Sequence, residues 1–293
     1  MAHSPNTVWI KAMPIVFVGI WSTGFIVARF GMPNSPPFSF LWLRFAFSIL
    51  CFLPWIYHAK VPWPSDRKQW LHLAVTGILL QAGYLGGVWS AIKGGMGSGL
   101  SALIVGLQPV LTAIWLSSQG GHVSRRQWQG LVLGFLGLSM VVSHKLEGGI
   151  EVTPLTLAMA VMALASITIG TLYQKRFVKP CDVRTASSVQ LMAAWMVTWP
   201  LAWMESETIQ WNHPMLYAMT WSVLCLTLGG SSLFYLLIQR GAAASVTSLM
   251  YLVAPTTAVL ALLLFGETMT WLTLVGILVT ALGVSLVVRA PKI

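Results

Sequence analysis

Charge is what this sequence most lacks. Only 8% of its 293 residues are charged, against about a quarter in a soluble domain. Acids are scarcest, with seven Asp and Glu in all. So few charges cannot cover a surface that faces water, so lipid must be the solvent. Cysteine is also sparse: Cys51, Cys181 and Cys225 are odd in number and show no pairing pattern, which excludes a disulfide framework. They read as small hydrophobes in helices and one loop thiol. There is no phosphate-binding Gly-rich loop, no H-E-x-x-H and no G-x-S-x-G. Those absences exclude nucleotide hydrolysis and the easily recognised metalloprotease and serine-hydrolase chemistries. Nothing calls for a cofactor or a metal, and no linker or low-complexity stretch divides the chain.

What the chain has is apolar length. Hydrophobic residues make up 56% of it. Ten apolar runs recur, near 12–30, 36–58, 69–90, 97–118, 127–143, 154–174, 185–204, 214–238, 243–265 and 270–288. Each has the roughly 17–25 residues that a helix needs to cross the hydrocarbon core. Backbone groups in lipid must be satisfied internally, which leaves helices or closed barrels, and these runs are too long for barrel strands. The expected class is an all-α polytopic membrane protein with ten transmembrane helices. The first run is too long for a signal peptide, lacks a small-residue cleavage site and is followed by nine more, so it reads as a retained helix.

The net charge of +10 is a topology signal. With the N-terminus inside, the cytoplasmic side collects Lys11, Lys60, Arg67, Lys68, Arg125, Arg126, Lys175, Arg176, Lys179, Arg184, Arg240, Arg289 and Lys292. The outside receives only Arg29, Lys93 and Lys145, together with Glu147, Glu151, Glu205, Glu207 and Glu267. This obeys the positive-inside rule, places both termini in the cytoplasm of a cell (inner) membrane protein, and argues against nucleic acid as a partner.

The sequence also matches itself. At an offset of 146 positions Gly24 meets Gly170, Pro54 meets Pro200, Gly83 meets Gly229, Gly95 meets Gly241, Pro109 meets Pro255, Gly120 meets Gly266, Gly130 meets Gly276 and Gly137 meets Gly283. Composition alone would give roughly one or two such identities, so the chain is a duplication. The expected units are 1–147 and 148–293, five spans each. An odd number of spans makes the second copy enter the membrane from the opposite face. Inverted repeats of this kind belong to secondary transporters, which hold substrate between the halves near the midplane.

Several stretches then carry a resemblance: "IWSTGFIVAR" (20–29), "LWLRFAF" (41–47), "LQPVLTAIW" (107–115) and "LLLFGETMTWLTLVGILVTALGVSLVV" (262–288). Together they resemble the ten-helix EamA branch of the drug/metabolite transporter superfamily, across essentially the whole chain. The resemblance implies two five-helix bundles around a central cavity that opens alternately to each side. Helices like the first, third, fourth, sixth, eighth and ninth would line it, with the fifth and tenth peripheral. The Gly-Glu motif stands only in the second half, where Glu267 is matched by Gly121.

Candidate site residues follow from helical spacing. Trp21 shares a face with Gly24 or Phe25 and with Ala28, beside Ser22 and Thr23. Trp21 reads as cavity lining. The two hydroxyls read either as bonds to backbone carbonyls or as site groups. Arg29, at a helix end, reads as an interfacial anchor. Ser98, Ser101, Val105 and Gln108 form a polar stripe turned from lipid, with Ala244, Thr247, Tyr251 and Ala254 as repeat counterparts. Pro109 and Pro255 each free a carbonyl and form a matched pair of expected breaks. Gln81 and Tyr84 lie deep in the third span. Trp89 and Tyr235, equivalent under the repeat, read as either site or interfacial belt residues. Arg44 is the one base well inside a span, and either serves the cargo or snorkels outward. Gly130, Gly134 and Gly137 read as a close-packing face, and His58, His72 and His144 as interfacial.

The expected substrate-binding set is thus Trp21, Arg44, Gln81, Tyr84, Ser101, Gln108, Tyr235, Thr247 and Tyr251. The expected function is secondary transport, most simply export, of small organic metabolites that are neutral, zwitterionic or anionic. No carboxylate lies at membrane depth to accompany a cation, and Glu267 reads as a cap on the tenth helix. Aromatic or large neutral amino acids suit an aromatic, amide-lined pocket. Expected partners are the cargo and the bilayer, with a monomer or weak homodimer as the assembly. The rival classes are a membrane-embedded lipid-modifying enzyme, which lacks a convergent acid, base or nucleophile here, and a non-transporting scaffold.

Overall fold

The computed structural model describes residues 5–119, 124–147, 152–239, 243–266 and 270–288, leaving aside the side chains of 5–12, 141–147, 243–252 and a few single positions. Among the described residues the chain forms ten helices and no strand. They are α1 (Pro5–Gly31), α2 (Pro37–His58), α3 (Arg67–Lys93), α4 (Ser98–Val105 and Gln108–Ser118), α5 (Arg125–Glu147), α6 (Pro154–Phe177), α7 (Val183–Trp203), α8 (His213–Gln239), α9 (Ala243–Phe265) and α10 (Trp271–Val288). Six stretches are individually long and apolar enough to cross a membrane, and shorter apolar helices lie in α5, α9 and α10.

Capping residues fix where the helices start. Asp66 accepts from the Lys68 amide at 2.9 Å at the head of α3, Asp182 from Arg184 at the head of α7, and Asn212 from Met215 at the head of α8. Thr153 and Thr156 form a reciprocal capping box on α6. α2 is capped from far away. Glu205 accepts from the Phe38 and Ser39 amides at 2.9 and 2.8 Å, and from the Ser39 hydroxyl. Sequence inspection left Glu205 as a loop acid, because a cap 166 residues away has no local signature.

Two helices widen in the middle. α3 is π-helical over Ile78–Gly83 and α8 over Ser222–Ser231. Shifted by 146, the first stretch falls inside the second, so the duplication extends to a local irregularity of the backbone. π-Bulges cluster at functional sites, and both lie on the cavity described below. The proline expectation is half met. α4 breaks at Gly106–Leu107, just ahead of Pro109, whereas α9 runs unbroken through Pro255.

Packing repeats the symmetry. α2 packs on α7 and α5 on α10; α1 packs on α8 and α9, as their counterparts α6, α3 and α4 pack together. The α5–α10 seam is set by glycine. A Cβ on Gly137 would lie 2.6 Å from the Gly276 carbonyl oxygen, and one on Gly283 would lie 2.6 Å from that of Gly130. Four glycines on two helices thus give one close crossing twice over. Bulky side chains such as Trp199, Trp203, Leu263 and Trp271 are exposed, as a lipid-facing surface requires. The protein is an all-α polytopic membrane protein built as two inverted five-helix repeats.

Candidate functional site: a central cavity between the repeats

α1, α2, α3 and α8 line a narrow cavity bounded by Trp21, Arg44, Gln81, Tyr84, Trp89 and Ser231 among others. A second, smaller space adjoins it and shares Trp21, Leu80, Gln81, Tyr84 and Ser231. It extends to Ile167, Gln174, Gln190, Phe234 and Tyr235 on α6, α7 and α8. Both repeats therefore contribute walls.

Aromatic rings form the waist between the two spaces. Trp21 lies parallel to Tyr84, with centroids 6.2 Å apart, and stacks on Phe234 at 5.2 Å. Gln81 is buried and its Nε2 donates weakly to the Ser231 hydroxyl at 3.5 Å. Ser22 and Thr23 donate to the Val18 and Ile20 carbonyls, so they serve the helix, as serine and threonine commonly do in apolar surroundings.

Arg44 does not snorkel. It is 2% exposed. Its Nε donates to Thr227 Oγ1 at 3.0 Å, and its guanidinium lies 5.8 Å over the Trp89 ring. Its Nη1 is buried without a hydrogen-bond partner. A guanidinium has five donors and normally fills them, so this one presents unused donors to the cavity wall. No Asp or Glu lines either space among the described residues.

Trp89 and Tyr235 are not belt residues. Trp89 is buried and stacked on Phe40 at 4.4 Å. Tyr235 is buried with its hydroxyl 3.1 Å from Cys181 Sγ. Their positions near helix ends suggested the interface, but Phe40 of α2 covers Trp89 and Cys181 of the α6–α7 loop covers Tyr235.

The polar stripe of α4 is buried, yet it meets protein. Gln108 donates to Thr171 Oγ1 at 3.0 Å, tying α4 to α6, and Ser101 is wholly enclosed. Neither is among the residues lining the two spaces. Spacing identifies a face turned from lipid without saying what it meets. Thr247 and Tyr251 lie on α9, but their side chains are outside the described residues, as are Gly121, His144 and Glu267. Gln174, Gln190, Phe234 and Ser231 are the wall residues that sequence inspection missed.

Equivalent ties close the two ends. At one, Lys93 donates to the Met32 carbonyl at 3.1 Å and pairs with Glu207 at 2.5 Å, while Asn212 donates to Asn34 at 2.6 Å. At the other, Gln239 donates to the Cys181 carbonyl at 2.8 Å and Gln69 exchanges two bonds with Lys179. Asp66 lies 3.6 Å from the Lys179 ammonium. Shifted by 146, Lys93 becomes Gln239 and Asp66 becomes Asn212, so one design fastens both loops. Lys93 is therefore engaged in a tie between the end of α1 and the loop that holds Glu207. Beyond the second end, Arg184 grips Asp182 through Nε and Nη2 at 2.9 and 2.8 Å. That grip holds the Asp182 carboxyl below the usual carboxylate range.

The EamA-like transporter family model matches the chain twice, at residues 9–143 and 154–289. An uncharacterized transporter of Bacillus subtilis, YvbV, is 26% identical, with 96% of this chain and 92% of the relative covered. A probable amino-acid metabolite efflux pump of Salmonella typhimurium is 22% identical, with 92% of each covered. A solved crystal structure superposes with a TM-score of 0.67 at 12% identity, covering 94% of this chain and 95% of that one, which shows a shared fold. With ten apolar helices, a duplicated five-helix unit and a cavity between the copies, the chain belongs to the EamA-like transporter family and is a multi-pass membrane transporter of small molecules.

Proposed function

We propose that the protein is a secondary exporter of small neutral, zwitterionic or anionic organic solutes, working by alternating access, with aromatic and large neutral amino acids as its candidate cargo. One observation carries this: the Arg44 guanidinium is buried in the central cavity with Nη1 unpartnered, and no acid faces it there among the described residues. A carboxylate would satisfy those donors with a charge-assisted bond. A permanent cation would be left unpaired in a dry site and strongly disfavoured. The waist of Trp21, Tyr84 and Phe234 suits an apolar or aromatic body attached to that carboxylate. The name of the Salmonella relative supports amino-acid-like cargo.

In this reading the repeats 1–147 and 148–293 are related by symmetry, the bundle of α1, α8 and α9 rocks against its counterpart of α6, α3 and α4, and the loop ties at the two ends open in turn. Both termini are cytoplasmic by the distribution of Lys and Arg. The Lys93 ties then form the outer gate and the Gln69 and Gln239 ties the inner one. The protein works as a monomer or weak homodimer.

The test is efflux from proteoliposomes loaded with phenylalanine or a quaternary ammonium compound. The proposal expects phenylalanine efflux that is lost in Arg44→Gln and partly kept in Arg44→Lys. Transport of the quaternary ammonium in preference to phenylalanine would overturn it.

A further inference from the structure

The two adjoining spaces are related in part by the 146-residue repeat. Trp89 of the first corresponds to Tyr235 of the second, Leu226 to Leu80, Val88 to Phe234, Leu85 to Ser231 and Trp21 to Ile167, while other wall residues such as Gly24 and Phe25 have no counterpart there. The polar groups follow the same rule with one difference. Arg44 corresponds to Gln190, and its partner Thr227 corresponds to Gln81. Gln190 is 4% exposed and Gln174 beside it is 3% exposed, and each has a buried Nε2 without a hydrogen-bond partner. Each half of the site thus ends in a buried side chain with unused hydrogen-bonding capacity, one charged and the other neutral.

We infer that the site is bipolar: it takes one elongated solute with a carboxylate at Arg44 and a neutral amide or carbonyl group at Gln190 and Gln174. This rests on the reading of Arg44 given above and specifies the far end of the cargo. The chemistry of each pole sets its ligand. A carboxamide is both donor and acceptor without charge, so it matches an amide or ketone and leaves a second carboxylate unpaired. One guanidinium, with no other positive group among the residues lining either space, matches a single negative charge, so a phosphate dianion would remain half compensated.

The spacing sets the length. The Gln190 backbone abuts Gly77 of α3, where a Cβ would overlap the Gln190 carbonyl, and the Arg44 guanidinium sits over Trp89 on the same helix. Twelve residues of helix separate those levels, roughly 18 Å along the axis of α3. Allowing about 3 Å for a hydrogen bond at each end leaves about 12 Å for the solute. The middle of that length passes the rings of Trp21 and Tyr84. The substrate class is therefore a monocarboxylate with an amide or carbonyl at its other end and an apolar middle, such as an N-acylated or amide-bearing amino acid.

Four probes of one chain length separate the possibilities: hexanoate, adipate, the monoamide of adipic acid, and adipamide. Binding to the purified full-length protein is read from tryptophan fluorescence, in wild type, Arg44→Gln, Gln190→Leu and Gln190→Arg. In wild type the monoamide should bind at least tenfold more tightly than hexanoate or adipate. Gln190→Leu should bring it down to the level of hexanoate. Gln190→Arg, which restores by mutation the symmetry that the repeats lack, should reverse the order of adipate and monoamide. If Gln190→Arg does not fold, the ratio of monoamide to hexanoate in Gln190→Leu decides alone. Loss of every carboxylate in Arg44→Gln with that ratio unchanged in Gln190→Leu would sink the bipolar site and leave the Arg44 reading standing. Unaltered carboxylate binding in Arg44→Gln would overturn both.

Discussion

Replacing Arg44 by methionine should make the protein more stable while it destroys anion transport. The side chain is 2% exposed and has one hydrogen bond, from Nε to Thr227. Removing that bond strands nothing, because the Thr227 hydroxyl already donates to the Ser222 carbonyl at 2.9 Å. What is lost is a neutral-acceptor hydrogen bond to a charged group, about 1.5–3 kcal/mol, and a contact with Trp89 worth roughly 0.5–2 kcal/mol. What is relieved is the desolvation of an uncompensated cation, several kcal/mol after relaxation. Methionine fills a similar volume and adapts to irregular space. The balance is a small net gain, up to the roughly 1–4 kcal/mol seen when buried ion pairs give way to well-packed apolar residues. Thermal unfolding of the detergent-purified protein, followed by tryptophan fluorescence without added solute, is the assay. The midpoint should rise by several degrees in Arg44→Met, while phenylalanine no longer shifts it. A clear fall in the midpoint would mean that the guanidinium is compensated by partners in the fold and has no capacity held for a solute.

Three further outcomes follow from particular contacts. Gly137→Ala and Gly283→Ala should each cost about 1–3 kcal/mol, with nearly equal shifts in unfolding midpoint, because a Cβ at either site meets the backbone of the opposite helix. Gly19→Ala, with nothing near its Cβ, should be neutral or slightly stabilising. Lys93→Met should leave stability nearly unchanged, since a partly exposed pair contributes about 0–1 kcal/mol. It should nonetheless speed labelling of a cysteine placed at Val88 by a reagent added on the Lys93 side, and unchanged labelling would remove the tie from the gate. The folded-state pKa of Asp182 is lowered by the hydrogen bonds of Arg184. Its contribution to stability is therefore present above the ordinary carboxylate value of about 4 and fades as pH falls through the folded value. It should be under about 1 kcal/mol because the pair is partly exposed. Unfolding midpoints of wild type and Asp182→Asn should differ near neutral pH and converge in acid, and a gap that widens in acid would reverse the assignment.

Much of the fold was legible because the bilayer leaves the backbone few choices. Ten apolar runs became ten helices with ends within a few residues of those expected, and the repeated glycines at 130, 137, 276 and 283 became the α5–α10 seam. The π-helical stretches were not legible, since Ile78–Gly83 has the composition of any apolar helix and the widening comes from packing. Glu205 capping α2 was invisible for a similar reason: its partner is remote in sequence. In the site, Trp21, Arg44, Gln81 and Tyr84 reach the cavity walls, because each is a bulky or polar side chain deep in an apolar run, and Tyr235 reaches them from nearer a helix end. Gln108 does not reach them, because a helical stripe reports only that its face is turned from lipid. Gln190 could have been found. The offset that aligns the glycines carries Arg44 onto it, so the one base deep in a span points to its neutral counterpart.

The most direct measurement is a cryo-electron microscopy structure of the protein with phenylalanine bound. The account predicts density in the space between the repeats, with the carboxylate within hydrogen-bonding distance of Arg44 Nη1 and the ring against Trp21 and Tyr84. Density for the amino acid at a site away from Arg44, walled by one repeat alone, would contradict it.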